Sequence, residues 1–225
     1  MLVEKRNAGR YAADFVKDGM VVGLGTGSTA KHAIQRLGER CKKEGLEIIG
    51  IPTSEQTKVQ AEDLGLNIST LDEHPVIDIT IDGADEIDPE LNLIKGGGGA
   101  LLREKIVAYH SKEVIIVADP SKMVDVLGVK FDLPVEIIQF CSTAIISSIE
   151  ELDCSAGLRM DNNTVFKTDN NNYIADCKFH QISEPYSLSR QLNDIPGVVE
   201  NGLFVDMVNR VIIGKKEGVE EISIE

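Results

Sequence analysis

DGADEIDPELNLIKGGGGALLREK, residues 82–105, leaves an apolar segment at its first residue and enters a helical one at its last turn. The run Val76-Ile77-Asp78-Ile79-Thr80-Ile81 is apolar and β-branched, which predicts a buried strand with Asp82 and Asp85 beyond its carboxyl end. Lys95 then precedes four glycines, Gly96 to Gly99, and Ala100-Leu101-Leu102-Arg103-Glu104-Lys105-Ile106 starts a helix at once. Carboxylates, an ammonium group and bare N–H donors at a helix start are what proton transfer beside a developing oxyanion requires. This pattern predicts an enzyme.

Toward the N-terminus, residues 4–18 repeat as a helix with Ala8, Tyr11, Ala12, Phe15 and Val16 on one face, ended by Asp18-Gly19. Met20 to Leu24 reads as a short buried strand. Gly25 to Ala30 turns into a second helix reaching about Cys41, with Ala33, Ile34 and Leu37 inward. Glu47 to Ile51 is a strand closed by Pro52-Thr53-Ser54, and residues 55–64 are helical. After the opening stretch, residues 100–110 form a helix and Glu113 to Ala118 another buried strand. Apolar strands alternating with helices predict a parallel sheet covered on both faces.

The pattern changes near residue 128. Pro134 to Phe140 reads as a strand and Ser142 to Leu152 as an amphipathic helix aligning Ile145, Ile146, Ile149 and Leu152. Strands follow at Thr164–Lys167 and Tyr173–Phe179, joined by the polar turn Asp169 to Asn172. A helix at Tyr186–Leu192 and a strand at Leu203–Val205 complete a β-α-β-β-α-β order. Val208 to Ile213 is placed to return to the first domain as a further strand. The expected fold is α/β: a Rossmann-like parallel-sheet domain over residues 1–128 and 206–225, plus a smaller ferredoxin-like α+β domain over 129–205.

Composition narrows the partners. A formal charge of −14 leaves no basic stripe for nucleic acid or an anionic membrane, so an anionic ligand needs a locally positive pocket. Cys41, Cys141, Cys154 and Cys177 form no CxxC pair, which fits a reduced compartment. MLVEKRNAGR is charged almost from its start, unlike a secretory h-region, and no apolar run approaches the roughly 18 residues of a membrane span. A cytoplasmic protein is expected.

Each candidate site has a bland reading beside the functional one. Gly23-Leu-Gly-Thr-Gly-Ser-Thr-Ala30 fits G-x-G-x-x-[G/A] from Gly25, but the next strand ends in Pro52-Thr53-Ser54 where a nucleotide site wants an acid. The hydroxyls of Thr26, Ser28 and Thr29 suit a single phosphate at a helix N-terminus, while a nucleotide site and a structural turn stay open. Asp82, Asp85, Glu86 and Asp88 are either a solvated turn or ligand-binding groups at a strand's carboxyl end. A metal reading fails on spacing, with His32, His74, His110 and His180 scattered. Gly96 to Gly99 is too short for a useful linker and reads as an N–H nest. Glu104 alone is an ordinary first-turn acid stabilised by the helix dipole, which also favours the ionised form a base needs. Lys95 alone is equally ambiguous. Their concentration in 24 residues is what favours chemistry.

GLGTGSTA, PTS at 52–54, DGADEID, KGGGGALLREK, ADPSKMV, LPVEII and IPGVVENGLF occur in this order in A-type ribose-5-phosphate isomerases, which the chain closely resembles from about residue 9 to 214. The resemblance implies interconversion of D-ribose 5-phosphate and D-ribulose 5-phosphate in the non-oxidative pentose phosphate pathway. It implies a homodimer or dimer of dimers and no metal or organic cofactor. Carried onto these residues, it makes Glu104 the base between C2 and C1, and gives Asp82 ring opening and hydroxyl protons. Asp85 and Lys95 hold substrate hydroxyls and the enediolate oxygen. Thr26, Gly27, Ser28, Thr29, Gly83, Ala84, Gly96, Gly97, Gly98 and Lys122 complete the sugar-phosphate site. Two other readings compete: a non-catalytic sugar-phosphate sensor, against which stand all four chemical groups, and a nucleotide-dependent oxidoreductase, against which stands the missing ribose-binding acid.

Overall fold

The computed structural model describes residues 1–223. In chain order the elements are α1 (Leu2–Ala13), β1 (Val21–Leu24), α2 (Ala30–Glu44), β2 (Ile49–Pro52), α3 (Glu55–Asp63), β3 (Asn67–Ile68), β4 (Ile79–Asp82), β5 (Glu86–Ile87) and β6 (Leu93–Ile94). Then come α4 (Leu101–Tyr109), β7 (Val114–Ala118), a 3-10 turn (Pro120–Lys122), β8 (Leu133–Ile137), α5 (Ser142–Glu150), β9 (Ser155–Leu158), β10 (Met160–Asp161) and β11 (Thr164–Val165). The last are β12 (Tyr173–Lys178), α6 (Pro185–Asn193), β13 (Val198–Asn201), β14 (Leu203–Phe204), β15 (Arg210–Gly214) and β16 (Val219–Ser223). They divide into two compact units, Met1–Ala84 with Arg103–Lys122 and Met207–Glu225, and Asp85–Leu102 with Met123–Asp206.

The first unit is built on one seven-stranded sheet in the order β3-β2-β1-β4-β7-β15-β16. The first six strands are parallel and β16 closes the edge antiparallel to β15. Reading outward from β1, successive strands in the chain lie first on one side and then on the other, the Rossmann arrangement with its switch point between β1 and β4. Every residue of β4 and β7 is buried, as strands covered on both faces must be. The core joins Ala8, Ala12 and Val16 to Val22, Ile34, Leu37, Ile79, Ile115 and Ile212. Helix α1 ends at Ala13 and turns Ala8, Gly9, Ala12 and Ala13 inward. Tyr11, expected on that face, is 40% exposed, because small residues make the close contact and the large ring stays on the rim, edge-on to Phe15.

Asp78 fixes the start of β1, where its Oδ2 accepts from the Val21 N–H at 2.9 Å and its Oδ1 from Lys112 Nζ at 2.7 Å. Those two bonds, the lysine's first, hold its carboxyl below the ordinary Asp range. A depressed folded-state pKa stabilises above the unfolded value and is lost as pH falls through the folded one. Asp78→Ala is therefore expected to cost about 1–2 kcal/mol in urea unfolding at pH 7, and less below about pH 4. A penalty that stayed constant between pH 7 and pH 3 would contradict this.

The second unit holds an antiparallel sheet in the order β13-β8-β12-β9. With α5 between β8 and β9 and α6 between β12 and β13, this is the ferredoxin-like split βαβ. Ile145 and Ile149 of α5 pack with Val135, Ile137, Ala175 and Leu192. Two strands differ from expectation. Ser155–Leu158, not Thr164–Lys167, pairs with β12, and Thr164–Val165 forms a two-residue ribbon with Met160–Asp161. The fourth strand is Val198–Asn201, while Leu203–Phe204 pairs with β6 in a three-stranded patch with β5. That patch groups residues 85–102 with the second unit, whereas the sequence reading kept them in the first domain. The Asn turn is structural: buried Glu136 Oε1 accepts from Thr168 Oγ1 and Asn172 Nδ2, both at 2.9 Å.

Candidate active site

In the first unit, β1 and β4 are neighbours and both deliver their carboxyl ends to the switch point. The loop after β1 and the Asp82 side chain meet there. Asp82 is 2% exposed, and its Oδ1 accepts from the Thr26 N–H at 3.0 Å and the Gly83 N–H at 2.7 Å. Gly25 makes this approach possible, since a Cβ there would lie 2.5 Å from the Asp82 Cα. Thr26 does not offer its hydroxyl outward as expected. Its Oγ1 sits 2.7 Å from Thr53 Oγ1, 2.8 Å from Ser54 Oγ and 3.1 Å from Thr57 Oγ1, so PTS at 52–54 anchors the loop. Ser54 also caps α3, accepting from the Thr57 N–H. Gly27 and Ser28 are exposed, and Thr29 is the N-cap residue of α2, so their N–H groups lie at a helix N-terminus.

Helix α4 connects parallel strands β4 and β7, so its first turn starts on the same carboxyl edge of the sheet. Glu104 lies in that turn and is only 5% exposed, while its neighbour Arg103 is spent on Glu55 at 2.8 Å. A carboxylate this buried is not the ordinary solvated first-turn acid. Lys122 closes the 3-10 turn that follows β7 on that edge.

Sequence reading missed Lys5. Its Nζ donates to Ser28 Oγ at 2.8 Å and stands 3.9 Å from Asp119 Oδ2. Asp119 is buried; burial alone would raise its pKa, but hydrogen bonds from the Ser121 hydroxyl and N–H, with Lys5 and Lys122, hold it below the ordinary range. Thus two lysines share one fixed negative charge beside the loop. Twenty-three residues separate Lys5 from Ser28, and only the packing of α1 on α2 joins them. The one sequence hint was an alanine-rich face on α1.

In the second unit, the glycine loop is held by its own neighbours. Asp85 Oδ2 accepts from the Gly97 N–H at 2.8 Å, and the Gly99 N–H donates to the Gly96 carbonyl at 2.9 Å. Lys95 is 3% exposed, its N–H donates to the Gly202 carbonyl, and its ammonium lies 5.3 Å from the Phe204 ring centroid. Gly97 and Gly98 are exposed. The acidic cluster now separates. Glu86 is fully buried and accepts from the N–H groups of Gly128, Lys130 and Phe131 at 2.6, 2.5 and 2.8 Å. Asp88 accepts from the Glu90 and Asn92 N–H groups and Asn92 Nδ2. Both are turn-builders. The chain passes between the units at Ala84–Asp85, Leu102–Arg103, Lys122–Met123 and Asp206–Met207, the first two points lying within the two motifs themselves.

Among the described residues, no group of three or more His, Cys, Asp or Glu could hold a metal ion, and no helix is long and apolar enough to cross a membrane. Residues 49–218 match the family model of ribose 5-phosphate isomerase A (phosphoriboisomerase A). The ribose-5-phosphate isomerase A of Bacillus mycoides (strain KBAB4) is 52% identical over 222 residues, 98% of this chain and 100% of that one. A ribose 5-phosphate isomerase from Plasmodium falciparum superposes with a TM-score of 0.97 at 39% identity, covering 100% of both chains. A D-ribose-5-phosphate isomerase in complex with phospho-erythronic acid gives 0.95 at 43% identity, covering 98% of this chain and 97% of that one. The chain belongs to the ribose 5-phosphate isomerase A family.

Proposed function

We propose that the protein interconverts D-ribose 5-phosphate and D-ribulose 5-phosphate through an enediolate, with Glu104 as the base. The observation that carries this reading is a buried carboxylate in the first turn of α4, on the sheet edge that also presents Asp82 and the Thr26–Thr29 loop. An aldose becomes a ketose when a base takes the proton from the carbon beside the carbonyl and a proton returns to the adjacent carbon. One carboxylate can serve both carbons because they are neighbours, as in triosephosphate isomerase. So weak a carbon acid requires its oxyanion to be stabilised as the proton leaves.

Asp82 handles ring opening and hydroxyl protons; Gly83, Ala84 and Asp85 line the sugar. Lys95 and the N–H groups of Gly96 and Gly98 stabilise the enediolate oxygen, while the Gly97 N–H, expected to join them, is engaged by Asp85. The phosphate is held by Gly27, Ser28 and Thr29, with Thr26 contributing backbone, and by Lys122 and Lys5. Binding energy from the remote phosphate positions the reacting carbons. These lysines give a locally positive site within a chain of charge −14. The division into a catalytic domain over 1–128 with 206–225 and a smaller domain over 129–205 rests on the sequence pattern and a cytoplasmic location on the composition, while a homodimer or dimer of dimers and a place in the pentose phosphate pathway follow from the family resemblance. No cofactor is required by this chemistry.

The test is a coupled assay of the purified protein on ribose 5-phosphate with EDTA present. Turnover unaffected by chelation is expected; binding of the sugar phosphate without turnover would favour a sensor.

A further inference from the structure

Arg159, which no motif in the sequence singled out, is bound to carbonyls of the glycine loop. Its Nη1 donates to the Gly96 carbonyl at 2.9 Å and the Gly97 carbonyl at 3.1 Å. The rest of the guanidinium is fixed by Asp176, with Nε to Oδ2 at 3.0 Å and Nη2 to Oδ1 at 2.5 Å, and lies 5.8 Å from the Phe166 ring centroid. Phe166 donates its N–H to the Arg159 carbonyl at 2.9 Å and packs against Gly99, where a Cβ would meet the ring at 2.5 Å. The side chain of Arg159 is 14% exposed, so this fork is held in one pose.

We propose that Arg159 is a positioning residue that sets the peptide planes of the glycine loop, keeping the Gly98 N–H aimed at the enediolate oxygen. The inference rests on the loop's role in the proposed isomerisation. No peptide bond in the described chain is cis. In a trans peptide the C=O and N–H point in opposite directions, so a Gly97 carbonyl tied to the guanidinium turns the Gly98 N–H away from it. The Gly96–Gly97 peptide is held twice, its carbonyl by Arg159 and the Gly99 N–H, and its own N–H by Asp85. The Gly97–Gly98 peptide is held through its carbonyl by the arginine. Flanked by glycines, that plane can rotate with little steric resistance. Rotation would present a carbonyl where a donor is needed, turning attraction for the oxyanion into repulsion. Arg159 and Asp176 come from β9–β12 territory, so this gives the ferredoxin-like sheet a part in the chemistry.

The test compares Arg159→Met, Arg159→Lys and Asp176→Asn, each with a melting temperature measured so that activity is read where the variant is folded. Losing a fixed oxyanion donor typically costs about 10²–10³ in kcat, and losing only its support is expected to cost about 10–10² in Arg159→Met. The KM for ribose 5-phosphate should stay within about threefold, while affinity for phospho-erythronic acid falls in step with kcat. Arg159→Lys, keeping the charge and a donor without the fork, should recover part of the loss, and Asp176→Asn should lose less than Arg159→Met. Wild-type kcat and analogue affinity in folded Arg159→Met would overturn the inference, as would kcat and KM shifting together equally in the Met and Lys variants. A wild-type protein inert on ribose 5-phosphate would instead sink the isomerase reading itself.

Discussion

Glu104→Gln is expected to lower turnover of ribose 5-phosphate at least about 10²-fold, ~2.7 kcal/mol of transition-state stabilisation, with ligand affinity within about threefold of wild type. Glutamine keeps the side chain's shape and its helix propensity, so α4 should form unchanged. What it removes is the ability to take a proton from carbon. The position is 5% exposed, so water has little room to replace the lost carboxylate as base. The ligand's phosphate and hydroxyls are assigned to other groups, which is why affinity should survive. Steady-state kinetics with a binding isotherm for phospho-erythronic acid checks both halves. Near-normal turnover would remove Glu104 from the role.

Gly25→Ala should damage stability and catalysis together. The added Cβ would sit 2.5 Å from the Asp82 Cα, and backbone cannot rotate away as a side chain can. Overpacking of this kind costs about 1–3 kcal/mol. For a chain of this size each kcal/mol lowers the melting temperature by about 2–4 °C. Relief requires β1 and β4 to separate at their carboxyl ends, which lengthens the 3.0 Å bond from the Thr26 N–H to Asp82. A displacement near 1 Å at a reacting group can cost about 10²-fold, so a fall of that order in kcat/KM is expected. A calorimetric melt and a Michaelis curve indistinguishable from wild type would show that the contact is not a constraint.

How much of this was legible beforehand depends on how local each cause is. The alternation of apolar strands with helices, and the βαβ order through β7, are written in short windows, and the main sheet follows from them. The strand at Ser155–Leu158 was invisible because Ser-Ala-Gly-Leu has no β-branched residue and only two apolar positions, Ala156 and Leu158, to alternate, and its pairing with β12 is decided by tertiary packing. Thr164–Phe166 has strand-like composition, yet its aromatic ring is used to cover Gly99 instead. Gly202 stands between Val198–Asn201 and Leu203–Phe204, and each side pairs with a different partner. Asp82, Asp85, Lys95 and Glu104 stood out in the sequence because they cluster in the chain. The turn-building roles of Glu86 and Asp88 were not legible, since they show only in the backbone N–H groups that these carboxylates accept from. Lys5 and Arg159 act across 23 and 62 or 63 residues of separation, a distance at which spacing carries no signal.

The central claim concerns one proton and is tested most directly by following it. Ribose 5-phosphate incubated with the protein in D2O should exchange its C2 hydrogen and acquire deuterium at C1 of ribulose 5-phosphate, both visible by NMR. The account predicts that Glu104→Gln loses this exchange at least about 10²-fold, in parallel with turnover, while still binding phospho-erythronic acid. Exchange continuing at the wild-type rate in that variant would place the base on another residue.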